Sequence, residues 1–218
     1  LYGDAGDDKM EGGAGKDVIY GGAGNDSMAG GDGNDLLYGG DGGDLMSGGA
    51  GNDKLYGGSG DNTIDGGSGD DKIITKGGDD DLSGGAGNDF IMAGAGDDIL
   101  RGGDGTDKLI GGKGADTIEG GAGNDHMWGG EWSADGSSDT FIVSAGGGKD
   151  MIHDFEANND VVDLSSYGLE FSDLSSLMSD KGWATEIDLS GLDGGVAGDK
   201  LILKSIDPDD LDESNFIL

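Results

Sequence analysis

Residues 21–58 read GGAGNDSMAGGDGNDLLYGGDGGDLMSGGAGNDKLYGG, a run in which nearly the same nine residues return again and again. Written as G-G-x-G-x-D-x-U-x with U apolar, the register extends in both directions. Its eighth position falls on Leu1, Met10, Ile19, Met28, Leu37, Met46, Leu55, Ile64, Ile73, Leu82, Ile91, Leu100, Leu109, Ile118 and Met127. The fourth is glycine throughout, from Gly6 to Gly123. The sixth is Asp8, Asp17, Asp26, Asp35, Asp44, Asp53, Asn62, Asp71, Asp80, Asp89, Asp98, Asp107, Asp116 and Asp125, with one amide among aspartates. Self-similarity at a short fixed period means one supersecondary unit stacked on its neighbours, because no unit can bury its apolar residue alone.

The unit is expected to divide into a six-residue glycine-rich turn and a three-residue strand whose middle side chain points inward. Two units then close one coil, and coils stacked at about 4.8 Å form two parallel sheets around a thin core of Leu, Ile and Met. This is an all-β parallel β-roll, a solenoid, over residues 1–128. Glycine at positions one, two and four permits positive φ and close approach of successive turns. The carbonyls expected to be aimed by the turns are those of the position-two and position-four pairs Gly13 and Gly15, Gly22 and Gly24, Gly31 and Gly33, Gly40 and Gly42, Gly49 and Gly51, Gly58 and Gly60, and Gly67 and Gly69. They continue with Gly78 alone, then Gly85 and Gly87, Gly94 and Gly96, Gly103 and Gly105, Gly112 and Gly114, and Gly121 and Gly123.

Charge says what those turns hold. The 218 residues carry 46 acidic and 12 basic side chains, a formal net charge of −34, which disfavours nucleic acid and anionic membranes as partners. Without cysteine there are no disulfides or thiolate sites. Sixth-position carboxylates recur on one edge at every second unit and converge with turn carbonyls into an all-oxygen, negatively charged cage. Calcium accepts six to eight oxygens in flexible geometry, whereas magnesium demands a tight octahedron and keeps water, so calcium is the expected ion. Seven turns per edge leave six gaps each, up to about 12 ions, which would reduce the formal charge from −34 to −10.

The pattern departs from itself on one edge. Asn62 replaces an aspartate, and Thr75 and Lys76 stand where two glycines belong. The gap between the Asn62 and Asp80 turns is therefore expected to bind calcium weakly or not at all, unless a neutral ligand is tolerated at little cost. The outward ninth position reads Tyr20, Tyr38, Tyr56, Ile74, Met92, Ile110 and Trp128 in alternate units, a stripe of about 29 Å. It reads either as a docking surface, with the Tyr20, Tyr38, Tyr56 and Trp128 rings as its aromatic part, or as a ladder that stiffens its own sheet.

After Trp128 the composition shifts, and residues 129–218 hold strand-like runs: DTFIV, KDMIHDF, DVVDLS, ATEIDLS, DKLILK and SNFIL. FSDLSSLMSD reads as a short helix, and DPDDLDE as another with Asp207 as N-cap and Pro208 in its first turn. A solenoid end exposes apolar core and strand edges, so this region is expected to cap the roll. The EWSADGSS segment breaks the register and reads as a surface loop, with Trp132 packing at the junction. No HExxH or GxSxG motif is present, and His126 and His153 read as surface residues. The acidic pairs Asp97–Asp98 and Asp70–Asp71 read as ligands and solvated turns rather than a hydrolase dyad, and no catalysis is expected of this chain. No run of 18 apolar residues and no conventional N-terminal signal appears; the opening LYGDAGDD starts partway through a repeat, so more protein is expected upstream.

The nonapeptide resembles the hemolysin-type calcium-binding repeat of RTX proteins. That resemblance implies a right-handed parallel β-roll with calcium between units n and n+2. The run SAGGGKDMIHDFEANNDVVDLSSYG, with the later GDKLILKSIDPDDLDESNFIL, is similar to the C-terminal part of serralysin-type proteases and RTX lipases. This implies secretion by the type I machinery through an uncleaved C-terminal signal. The terminal NFIL is similar to that family's ending, with Asn215 where an acidic residue is usual. The expected function is thus a calcium-responsive folding module, secreted and extracellular, that supports export and stabilises an upstream domain of the same protein. A calcium-dependent adhesin or polysaccharide-binding module is the alternative. Because ligation needs ionised carboxylates, acid is expected to act as a chelator does, near the aspartate pKa of about 4.

Overall fold

A computed structural model describes residues 1–130, 135–192 and 195–218. Trp132, expected at the junction, lies outside the described residues. Strands recur every nine residues, from Tyr2–Ala5, Lys9–Ala14 and Val18–Ala23 to His126–Gly130, and alternate between two sheets. One sheet has twelve strands and the other ten. Within the array all pairings are parallel with a register of one coil, as in Ile19↔Leu37 and Tyr20↔Tyr38.

Most strands are longer than expected: Leu36–Asp41 and its neighbours run six residues, so the turn keeps three. The reason lies in the glycines. Position one is buried and lies within the strand but is skipped by the pairing register, while positions two and three pair with the neighbouring coil, position two at positive φ, as at Gly40 with φ +123°. The bend thus begins inside the paired segment.

The inward eighth-position residues make a single file of apolar side chains, and from Ile19 to Met127 none is more than 2% exposed. That file does not stop at Trp128. Phe141 pairs with Ile118, Ile152 with Met127, and Val162 with Phe141. Both sheets therefore run across the 128/129 boundary, through Thr140–Ile142, Lys149–Ile152 and Val161–Asp163. The roll and the expected cap form one continuous stack rather than two separately cored bodies.

The cap closes each sheet in its own way. Phe216–Ile217 adds the last strand to the ten-stranded sheet. The twelve-stranded sheet ends in an antiparallel meander of Lys200–Lys204, Ala184–Asp188 and Met178–Asp180. Helix Phe171–Leu177 covers the first part of the stretch read as helical, whose last residues Met178–Asp180 form a strand instead, and the second expected helix is a 3-10 turn, Pro208–Asp210, whose N-cap Asp207 accepts the Asp209 N–H at 3.0 Å. Among the described residues no helix is long and apolar enough to cross a membrane.

The outward stripe is a ladder. Tyr2, Tyr20, Tyr38 and Tyr56 stack with ring centroids 4.9–5.0 Å apart and planes within 11°. Farther along, Ile110 is buried, and Trp128 stacks on His153 at 3.9 Å. His126 and His153, expected at the surface, are instead partly buried and face each other, Nδ1 to Nε2, at 2.7 Å. Burial lowers both pKa values, that of His153 to about 4, with Lys108 and Lys204 adding to the effect.

Candidate metal centre

From Asp26 onward every sixth-position carboxylate is divided between two tasks. Its Oδ1 accepts the backbone N–H of the sixth residue one coil earlier: Asp26 Oδ1 from Asp8, Asp44 Oδ1 from Asp26 and Asp53 Oδ1 from Asp35, at 2.6–2.9 Å. The pattern continues along both edges to Asp125. Its Oδ2 has no partner. Among the described residues thirteen buried side-chain polar atoms lack a hydrogen bond, and all thirteen are Oδ2 atoms of sixth-position aspartates. Native proteins leave few buried polar atoms unpaired, so a periodic row of them points to a missing ligand.

Gly39 shows where the free oxygen points. A Cβ built on it would lie 2.1 Å from Asp44 Oδ2 and 2.4 Å from the carbonyl oxygen of Gly57 in the next coil. Glycine is needed here for space, since position one has an ordinary φ. Asn62 supplies the other half of the picture. Its Oδ1 takes the place of a carboxylate Oδ1, accepting the Asp44 N–H at 3.1 Å. Its Nδ2 therefore occupies the Oδ2 place, donating to Gly60 O at 2.7 Å and to Asp80 Oδ1 at 2.9 Å. In the other turns a negative oxygen takes that donor's place.

Each gap thus gathers Oδ2 of one sixth-position residue, Oδ1 of the next, the position-four carbonyl below and the position-one carbonyl above. Position-four glycines were expected to contribute; position-one carbonyls were not. The position-two carbonyl is used otherwise where the contact is visible: Gly58 O accepts the Lys76 N–H at 3.0 Å. Among the described residues no group of three His, Cys, Asp or Glu side chains comes together, which accords with two carboxylates per gap and carbonyls for the rest. The donor set is all oxygen, anionic and repeated, and it fits calcium.

Electrostatics carry the same message. Burial, reinforced by the charges of neighbouring rungs and opposed by the backbone hydrogen bond, pushes Asp71, Asp98 and Asp107 to about 7 and Asp116 to about 8. Asp89 rises to about 6 for the same main reason, and Asp44, Asp53, Asp80 and Asp125 are also raised. A bare fold disfavours its own charges.

Sequence reasoning missed a second ladder at position five. There the side chain accepts the N–H one coil later, as Asp7 does from Asn25, Asn25 from Gly43, Asp61 from Asp79 and Asp79 from Asp97, at 2.8–3.0 Å. The frequent Asn and Asp at that position were the available signal. These exposed bonds leave Asp70 and Asp97 as rung-to-rung links, distinct from the buried Asp71 and Asp98 beside them.

The family model for the RTX calcium-binding nonapeptide repeat matches four times, at residues 2–37, 38–73, 74–109 and 101–131. No curated protein matches the chain. A solved structure, the solution structure of the AlgE6R3 subunit from the Azotobacter vinelandii mannuronan C5-epimerase, is 25% identical over 73% of this chain and 78% of its own, with a TM-score of 0.34. With well over half of its length matched by that repeat model, the chain belongs to the family of RTX calcium-binding nonapeptide proteins.

Proposed function

We propose that this chain is a calcium-operated folding module that keeps an exported protein unfolded before secretion and locks it afterwards. The observation that carries the reading is the identity of the thirteen unpartnered oxygens: every one belongs to a sixth-position aspartate. Eleven of them face another nonapeptide turn, so the repeats hold eleven ions rather than twelve, the Asn62–Asp80 gap being filled by the amide. In each gap the two sixth-position side chains and the flanking carbonyls hold the ion. Calcium bound there supplies positive charge that joins consecutive coils; the chain itself contributes no catalytic step.

Outside the cell, calcium near the roughly 10⁻⁴ to 10⁻³ M affinities of extracellular modules turns binding free energy into folding free energy. Inside, the carboxylates repel and the chain stays threadable for the type I machinery, with residues 129–218 as the secretion signal. A passenger domain on the same polypeptide gains a rigid neighbour. Circular dichroism in chelator and then in millimolar calcium tests the switch, and a fully folded calcium-free chain refutes it. Export of a passenger fused to residues 129–218 tests the signal. A sugar-binding role finds little support in the stripe: stacked at 4.9–5.0 Å, the tyrosines bury their faces against one another and leave mainly edges for a ligand.

A further inference from the structure

Two carboxylates outside the nonapeptide repeats, Asp139 and Asp150, stand in the place of a sixth residue. Around Asp150 the match runs from position three, Gly147, to position seven, Met151, with Ala145 in place of the first glycine. The Asp125 N–H donates to Asp150 Oδ1 at 3.1 Å, the Met151 N–H to Asp125 O at 2.8 Å, the Lys149 N–H to Asn124 Oδ1 at 2.9 Å and the Gly123 N–H to Gly147 O at 2.7 Å. Gly148, at φ +91°, lies over the carbonyl of Gly123. The same relationships join the Asp26 and Asp44 turns: Asp26 N–H to Asp44 Oδ1, Leu45 N–H to Asp26 O, Gly43 N–H to Asn25 Oδ1, Gly24 N–H to Asp41 O, and Gly42 over Gly24.

Asp139 repeats the core of the pattern. It takes the Asp116 N–H on Oδ1 at 2.9 Å, and the Thr140 N–H reaches Asp116 O at 2.8 Å. A Cβ on Gly129 would lie 2.0 Å from Asp139 Oδ2, as one on Gly39 would from Asp44 Oδ2 at 2.1 Å. Facing these turns are Asp116 Oδ2 and Asp125 Oδ2, unpartnered on residues no more than 1% exposed.

One turn later the vacant oxygens end. Asp160 accepts the Asp139 N–H on Oδ1 and the Glu156 N–H on Oδ2, at 3.1 and 2.7 Å. Asp199 accepts from Gly148 on Oδ1 and from Gly146 and Val196 on Oδ2. Backbone donors there do what a cation does earlier in the stack.

We propose that the Asp116–Asp139 and Asp125–Asp150 gaps are two further divalent-cation sites, which fasten the C-terminal cap to the roll. The proposal rests on the calcium reading of the repeats, and its test separates the two. Calcium per chain is measured by atomic emission after equilibrium dialysis for the wild type, D139A, D150A, the double variant and D160N. Each single variant loses one ion, the double variant loses two and D160N loses none. A wild type without calcium sinks the reading of the whole ladder. A calcium-loaded wild type whose double variant keeps the full complement overturns only the cap sites, and a D160N variant that loses an ion overturns their proposed end. Should the variants fail to fold, anomalous diffraction from wild-type crystals grown in calcium decides: peaks in both gaps sustain the proposal, and empty gaps beside filled repeat sites refute it.

Discussion

Replacing Asn62 by aspartate, with Thr75 returned to glycine, converts the amide-filled gap into one like its neighbours. The change removes two hydrogen bonds from Nδ2, to Gly60 O and to the Asp80 carboxylate, and sets a second buried charge opposite Asp80. A hydrogen bond to a charged group is worth roughly 1.5–3 kcal/mol and a neutral one about 1 kcal/mol, so the metal-free fold loses about 3 kcal/mol before any repulsion is counted. Removing Thr75 clears its γ-methyl, which lies 2.7 Å from where a Cβ on Gly57 would stand. The double variant then binds one calcium more than the wild type. Each added site contributes about 1.4 kcal/mol for every tenfold rise in calcium above its Kd. At about 2–4 °C per kcal/mol for a chain of this size, its Tm climbs roughly 3–6 °C more per decade of calcium than that of the wild type. Dialysis with atomic emission reads the count, and calorimetry at three calcium concentrations reads the slope. Equal counts and parallel slopes would show that the amide was never standing in for an ion.

Acidity follows from the raised carboxylates. Folded pKa values of about 6–8 against about 3.9 unfolded mean that the bare fold holds more protons than the unfolded chain, so its stability falls as pH rises from about 4 to about 8. Calcium has the opposite requirement, and its folding midpoint at pH 6 lies at least about tenfold above that at pH 8. Acid therefore strips calcium well above pH 4 without imitating a chelator, contrary to the simplest expectation; a calcium-free chain less ordered at pH 5 than at pH 8 by circular dichroism would refute this. Gly48→Ala places a methyl 2.5 Å from both Asp53 Oδ2 and Gly66 O, costing about 1–3 kcal/mol and one bound ion by dialysis. Tyr38→Ser removes two ring stacks, lowers stability by about 1–3 kcal/mol in a thermal melt and leaves the ion count unchanged.

The period alone made most of the roll legible, because the eighth residues had to be buried and the roll buries all of them from Met10 to Met127. Asn62 was readable as the one departure among the sixth-position residues from its missing charge. That its amide is itself the replacement donor was not, since this depends on which way Nδ2 turns between two coils. The strands were read three residues too short because glycine pairs argue for turns by composition, while positions two and three still pair with the neighbouring coil, as Gly22 does with Gly40 and Ala23 with Asp41. Asp139 and Asp150 escaped notice for a different reason: their spacing from the previous coil is 23 and 25 residues, and only the hydrogen bonds from Asp116 and Asp125 bring them into line. Asn215, which looked like a departure from a terminal motif, donates to Ala157 O at 2.7 Å and accepts from Asp212. Its role is to tie the last strand down.

On the proposed reading, the free-energy scale accounts for a chain that waits for an ion. Holding Asp71, Asp98 or Asp107 ionised with a pKa of about 7 costs on the order of 4 kcal/mol each, and Asp116 at about 8 costs more. Burial of these carboxylates therefore opposes folding of the calcium-free chain, against the 5–15 kcal/mol that usually separates a folded domain from its unfolded chain. The core of the repeats is one file of side chains between two sheets. Protons relieve the charge one at a time and leave the gaps unbridged; a dication relieves two carboxylates at once and ties their coils together. On this reasoning the cooperative unit is the pair of coils rather than the single repeat. Loss of one mid-ladder ligand, as in Asp71→Asn, should then flatten the calcium dependence of folding as well as shift its midpoint, and a shifted curve of unchanged steepness would show that the sites fill independently.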